Sequence, residues 1–274
     1  MVKKRTDTVK TTVITVVLLV WGTFVGLCAQ PSLQAGITET YASGWIPPTT
    51  WKLVYDKPVV QSEAYIQLDT PDWKLLKATR LTMWVQNPTD ERSAFTPPGG
   101  EVDCALGLTG PTFKGVKTSF EIRFIDVGGL RGEDVWTFGD KDVLRLRFRL
   151  DYPIKFIGGK NILTPSLTFF HVEPISYRPK VAGNVICPQI SYEWKPQPWL
   201  RLIGNAGFMH DGGINGGIPA DIVSYGLGAG VRINKGSPEC WVNAGVQFYN
   251  TLGSPINRPD QDFDLKFVSI GFKF

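Results

Sequence analysis

Three arginines alternate with apolar residues in the run Leu144-Arg145-Leu146-Arg147-Phe148-Arg149-Leu150. At a period of two, a strand carries all three guanidiniums in one column and Leu144, Leu146, Phe148 and Leu150 on the opposite face. A guanidinium is permanently charged and planar, and it binds carboxylate or phosphate by two parallel hydrogen bonds. Such a column can do one of two things. It can lock onto acids and fill an enclosed interior with ion pairs, because a charge taken out of water needs a partner. It can instead outnumber its partners and present a positive field to anions in water. The same alternation places Glu121 and Arg123 beside the column, and Arg80, Arg201 and Arg232 elsewhere on the same side, with the acids Glu63, Asp103 and Glu193. That makes seven arginines against four acids, a surplus of three, and both readings stay open.

Nucleophilic and metal chemistry find little to build on. The two histidines, His171 and His210, have no serine two residues away, and His210-Asp211 runs into Gly212 and Gly213 with no acid pair beside it. Hydrolase, phosphate-loop, zinc-protease and dinucleotide fingerprints are missing from the sequence. Cys104, Cys187 and Cys240 are far apart, which suggests single side chains on strands rather than a disulfide framework or a zinc site. No catalysis, cofactor or metal is expected. The glycine pairs of Gly212-Gly213-Ile214-Asn215-Gly216-Gly217 suggest a loop rather than a phosphate cradle.

The elements that must position the arginines are strands. Alternating runs bounded by turn formers predict twelve, at 33–43, 59–69, 75–86, 101–110, 116–126, 142–152, 161–171, 185–195, 199–209, 222–233, 239–249 and 263–274. Short and long connections alternate throughout. This is the pattern of an up-and-down antiparallel barrel with tight turns at one end and longer loops at the other. Arginine facing lipid near mid-bilayer would cost a few kcal/mol, so the arginine faces turn inward and the leucines outward. Val223, Tyr225, Leu227, Ala229 and Val231 form another lipid face, as do Val242, Ala244, Val246 and Phe248. Trp45, Trp51, Trp73, Trp136, Trp194 and Trp199 fall at strand ends or in loops, where an interfacial girdle would sit.

Residues 1–29 have the form of an export signal. Lys3, Lys4, Arg5 and Lys10 precede an apolar run, and Leu27-Cys28-Ala29 offers a small residue for cleavage before Gln30. The barrel is therefore expected over 30–274. With four bases and one acid, the signal accounts for +3 of the +4 net charge and leaves the remainder near +1. The basic balance is thus no argument for nucleic acid. Among 274 residues, 29 glycines and 20 prolines fit an all-β domain.

The last strand sets Val268, Ile270, Phe272 and Phe274 on one face. Chains ending in such an aromatic strand resemble bacterial outer-membrane β-barrels. The resemblance implies that Phe272 and Phe274 are read by the barrel-assembly machinery and that the partners are outer-membrane lipid and lipopolysaccharide. Tyr41-Ala42-Ser43, Asp56-Lys57-Pro58-Val59-Val60-Gln61 and Met83-Trp84-Val85 are similar to a small group of outer-membrane porins of the TorF type. Gly44-Trp45-Ile46-Pro47-Pro48 stands where that group has an aromatic residue followed by Arg-Gly. The expectation is passive passage of small hydrophilic solutes, biased toward anions by Arg145, Arg147 and Arg149. The alternative is a non-conducting structural or surface-binding barrel whose lumen is plugged by ion pairs.

Overall fold

The computed structural model describes residues 32–44, 57–70, 73–89, 101–127, 143–174, 182–212, 220–234, 236–252 and 262–274. The export signal, Trp45, Trp51, Trp136, Asp56 and the glycine run beyond Gly212 lie outside them. The strands are β1 (Ser32–Ala42), β2 (Val59–Asp69), β3 (Ala78–Pro88), β4 (Glu101–Thr109), β5 (Lys117–Val127), β6 (Val143–Asp151) and β7 (Ile154–Phe156). They continue with β8 (Asn161–Pro174), β9 (Gly183–Gln197), β10 (Leu200–Asp211), β11 (Ala220–Arg232), β12 (Glu239–Leu252) and β13 (Phe263–Lys273). Each long strand pairs antiparallel with its sequence neighbour, β6 pairs with β8, and β1 pairs with β13, so the sheet closes. The protein is a twelve-stranded antiparallel barrel, and closure leaves no edge to aggregate.

The short β7 differs from the expected turn at 153–160. It lies on the same edge of β8 as β6, taking up Asn161–Leu163 where β6 leaves off at Ser166. Pro153 has no N–H to give to the ladder, so one barrel strand is broken there and resumes as β7. The only other shift of more than two residues at a strand start is in β3, which begins at Ala78 rather than 75.

Period-two alternation sorts the side chains. Ile37, Ile66, Phe148, Phe169, Tyr225, Leu227, Val268 and Ile270 stand exposed on the outside, and Leu227 is 71% exposed. An apolar outer face this extensive suits lipid rather than water. Trp194, Trp199 and Phe274 are exposed near the end where the connections are short, the level of an interfacial girdle. No helix among the described residues is long and apolar enough to cross a membrane.

Inside, two apolar clusters lie toward the long-loop end. One joins Phe170, Val172, Val185, Cys187, Met209 and Ile222 of β8 to β11. The other joins Ala42 and Val59 to Trp84, Leu265 and Phe267. The three later cysteines are free thiols.

Candidate pore lining

Register determines which side chains meet. Arg147 is opposite Glu121, and Arg145 is opposite Arg123 on β5. Their outward neighbours form the facing pairs Leu146 with Ile122 and Phe148 with Phe120. Glu121 is the hub of the interior. It accepts from Arg145 Nη2 at 2.8 Å and Arg123 Nε at 3.2 Å, and forms an ion pair with Arg147 Nη2 at 3.0 Å. Arg123 also reaches Asp103 at 3.0 Å. The guanidinium of Arg145 lies 5.4 Å from the centre of the Phe170 ring. Three cations on one carboxylate compensate for desolvating it, and the carboxyls of Asp103 and Glu101 are buried on β4 of the same wall.

Exposure within this cluster is uneven. Arg145 is 3% exposed and Glu121 8%, whereas Arg147 is 30%. Arg149, held by Asp151 at 2.8 Å, is 34% exposed. Glu121 and Asp103 are thus turned into the wall, Asp151 stays 25% exposed beside Arg149, and the guanidiniums of Arg147 and Arg149 face the interior.

The remaining sequence-selected arginines lie inward but apart from the cluster. Arg80 bonds Glu63 at 2.6 Å and stacks 3.7 Å from the centre of the Tyr65 ring. That ring folds flat over Gly36, where a Cβ would collide with it. Arg201 donates to Asn243 at 2.6 Å and stacks on Trp241. Arg232 reaches Glu239 at 3.4 Å. Glu193 is paired with Lys195 at 3.0 Å rather than with an arginine.

The sevenfold-to-fourfold count needs correction. Asp69, Glu101, Asp151, Asp211 and Glu239 also share the inward register, as do Lys117, Lys155, Lys195 and Lys273. Among the described wall residues, eleven cations therefore face nine acids. Most of these additions stand at strand ends.

Sequence reasoning passed over the neutral wall. A cavity of about 270 Å³ opens between Arg149 and Ser166, Gln189, Ser191, Asn205, Ser224, Gln247 and Tyr249. Two cross-strand rows form its floor. One is Ser166–Gln189–Gly207–Ser224–Tyr249, and the other is Ser191–Asn205–Gly226–Gln247. Gly207 leaves the first row without a side chain at that point, and in the second row the Gln247 amide lies over Gly226, where a Cβ would collide with it. The parity rule that turned the arginines inward applies equally here, and it would have found these residues.

The histidines face out. His210 bonds Asp221 at 2.7 Å and His171 bonds Asn184 at 2.9 Å. Asp211, expected beside His210 in a loop, is instead the last residue of β10 and buried on the inner face, since neighbours on a strand point oppositely. Among the described residues no cluster of three or more His, Cys, Asp or Glu could hold a metal. Phe272 and Phe274 are exposed at the end of β13, and the Phe274 N–H donates to the Ala35 carbonyl across the closing seam at 2.8 Å.

No protein-family model matches the chain, and no curated protein matches it. Solved structures do. An outer membrane channel from Pseudomonas putida F1 is similar over 88% of this chain and 95% of its own, with a TM-score of 0.50 and 10% identity. The NanC porin covers 88% of this chain and 100% of its own, at 0.49 and 8%. The β domain of the Bordetella autotransporter BrkA covers 89% and 100%, at 0.48 and 11%. At 10% identity the likeness to the Pseudomonas channel shows a shared fold, that of an outer-membrane β-barrel.

Proposed function

We propose that the protein is an outer-membrane channel for passive diffusion of small hydrophilic solutes, with a local bias toward anions. The observation that carries this is the uneven exposure of the charged cluster. Glu121 and Asp103 are sealed at 8% and 4%, while Arg147 and Arg149 face the interior. A nearly balanced wall can still present a positive field where its cations are solvated and its acids are not. The apolar exterior, the mid-lumen cavity and the fold shared with an outer membrane channel support the same reading. So does the resemblance to TorF-type porins. The exposed aromatic end of β13 suits capture by the assembly machinery, and the outer face suits lipid and lipopolysaccharide.

A second reading draws on the first apolar cluster. Val185, Met209 and Ile222 face inward yet are at most 1% exposed, so the long-loop side of the cavity is filled there. A barrel filled across its width would not conduct, and would serve structure or surface binding. Recording from the purified protein in planar bilayers separates the two. Discrete current steps, with a reversal potential favouring chloride over potassium, are expected. A membrane that stays silent at high protein load would end the channel reading.

A further inference from the structure

We infer that the mid-lumen cavity is a binding subsite for a small polyhydroxylated carboxylate, whose carboxylate sits on Arg149 and whose hydroxyls sit on the facing amides and hydroxyls. The inference rests on the channel reading and specifies which solute the channel would retard and select. It is carried by hydrogen-bonding capacity that the protein leaves unspent.

Arg149 uses its Nε on Asp151. Among the described residues its outer two nitrogens have no partner, and they form the fork that holds a carboxylate bidentately. Across the cavity, Gln189, Asn205 and Gln247 supply paired donors and acceptors, and Ser166, Ser191 and Ser224 supply hydroxyls. No side-chain hydrogen bond engages any of these six among the described residues. Elsewhere in the interior each of Arg80, Arg123, Arg145, Arg201 and Arg232 has a partner, and Asn243 takes Arg201. A wall of uncommitted groups is hydrated, and a ligand rich in hydroxyls replaces those waters bond for bond.

The cavity's size and charge narrow the class. About 270 Å³ is slightly below the range for drug-sized ligands, which suits a single small solute rather than a chain of them. One cation among neutral groups fits one negative charge. A phosphate-rich or multiply charged ligand would leave anionic oxygens facing amides alone. An apolar anion would leave the amides unpaired, which costs more than the charge contact returns.

Gluconate is the probe, with acetate as the charge without hydroxyls and glucose as hydroxyls without charge. In single-channel recordings at constant chloride, gluconate should produce saturable, resolvable blocking events, and acetate and glucose should not. Arg149→Gln should raise the half-blocking concentration at least tenfold. Asn205→Leu, which replaces the amide by methyl groups of nearly the same shape without touching a charge, should do the same. Heat-modifiable migration of each variant on gels confirms that the barrel has closed. If gluconate blocks no better than glucose or acetate in a conducting protein, the subsite is refuted and the channel reading stands. If the wild type carries no current, the channel reading fails by itself. Calorimetric titration of gluconate into the detergent-solubilised barrel then decides the subsite: saturable heat lost in both variants supports it, and no heat refutes it.

Discussion

The two walls of the interior use polar side chains in opposite ways. On β4 to β6, Arg123, Arg145, Glu121 and Asp103 pair with one another and are largely withdrawn from solvent. On β8 to β12, Ser191, Asn205, Ser224 and Gln247 sit around a cavity with glycines between them. The first wall behaves like a folded core made of charge, and its members are costly to remove singly. The second behaves like a surface turned inward, and single members are cheap to change. The difference teaches that polarity in a barrel interior does not mark function by itself. Commitment does: partnered groups hold the wall together, and unpartnered ones are free to meet a solute.

The largest expected effect comes from the hub. Glu121→Gln removes the negative charge that three guanidiniums share and one of its two acceptor oxygens, and breaking a buried ion-pair network by one partner costs about 3–5 kcal/mol. Urea unfolding in detergent micelles should show the loss, and adding Arg145→Met should return part of it. A loss below about 1 kcal/mol would mean that the two walls are alike. Next comes the control on sidedness. Leu227→Arg, on the exterior, should cost about 2–4 kcal/mol in lipid vesicles. Asn205→Arg, on the inner face of the adjacent strand, should cost far less in the same unfolding measurement. Equal costs would sink the assignment of faces.

Permeation responds more gently. Arg147→Ser and Arg149→Ser should each lower the chloride-to-potassium permeability ratio by about two- to fivefold, equivalent to ~0.5–1 kcal/mol for a solvated, screened charge. Reversal potentials under a salt gradient measure it. Raising ionic strength from 0.1 to 1 M shortens the screening length from about 10 to about 3 Å, and should erase much of the same bias. A ratio unmoved by either variant would mean that both guanidiniums are spent on Glu121 and Asp151.

Much of this was legible along the chain because a barrel writes its geometry locally. Alternation in 144–150 determines which face of β6 is charged, and lipid outside makes the choice of side unambiguous. The expected and observed limits of β2 coincide at 59–69. What could not be read was pairing. That Glu121 meets three arginines depends on the register of β5 against β6, a property of two segments and not of either alone. The interior charge balance was misread for a different reason. Asp151 and Glu239 fall inside the expected strands 142–152 and 239–249, and the alternation that turns Arg149 inward turns them inward as well, but the count stopped at the middle of the strands. The break at Pro153 was hidden because β7 is three residues long, too short to show a period. The cavity was hidden because serine and asparagine carry no surprise, whereas an arginine column does.

The smallest effect is the sharpest test of the contrast between walls. Gln189 stands on the cavity row between Ser166 and Gly207, and no side-chain hydrogen bond holds its amide among the described residues. Gln189→Ala therefore removes a hydrated group and leaves no partner stranded, so the desolvation penalty that makes buried polar deletions expensive does not arise. Stability should change by less than about 0.5 kcal/mol, as for a surface position, and the chloride-to-potassium ratio should hold because no charge is lost. Retention of a polyhydroxylated solute should weaken, since one donor and one acceptor leave the floor. If the same variant instead costs as much as Glu121→Gln, the neutral wall is a committed network too, and capacity left unspent no longer distinguishes it from the charged wall.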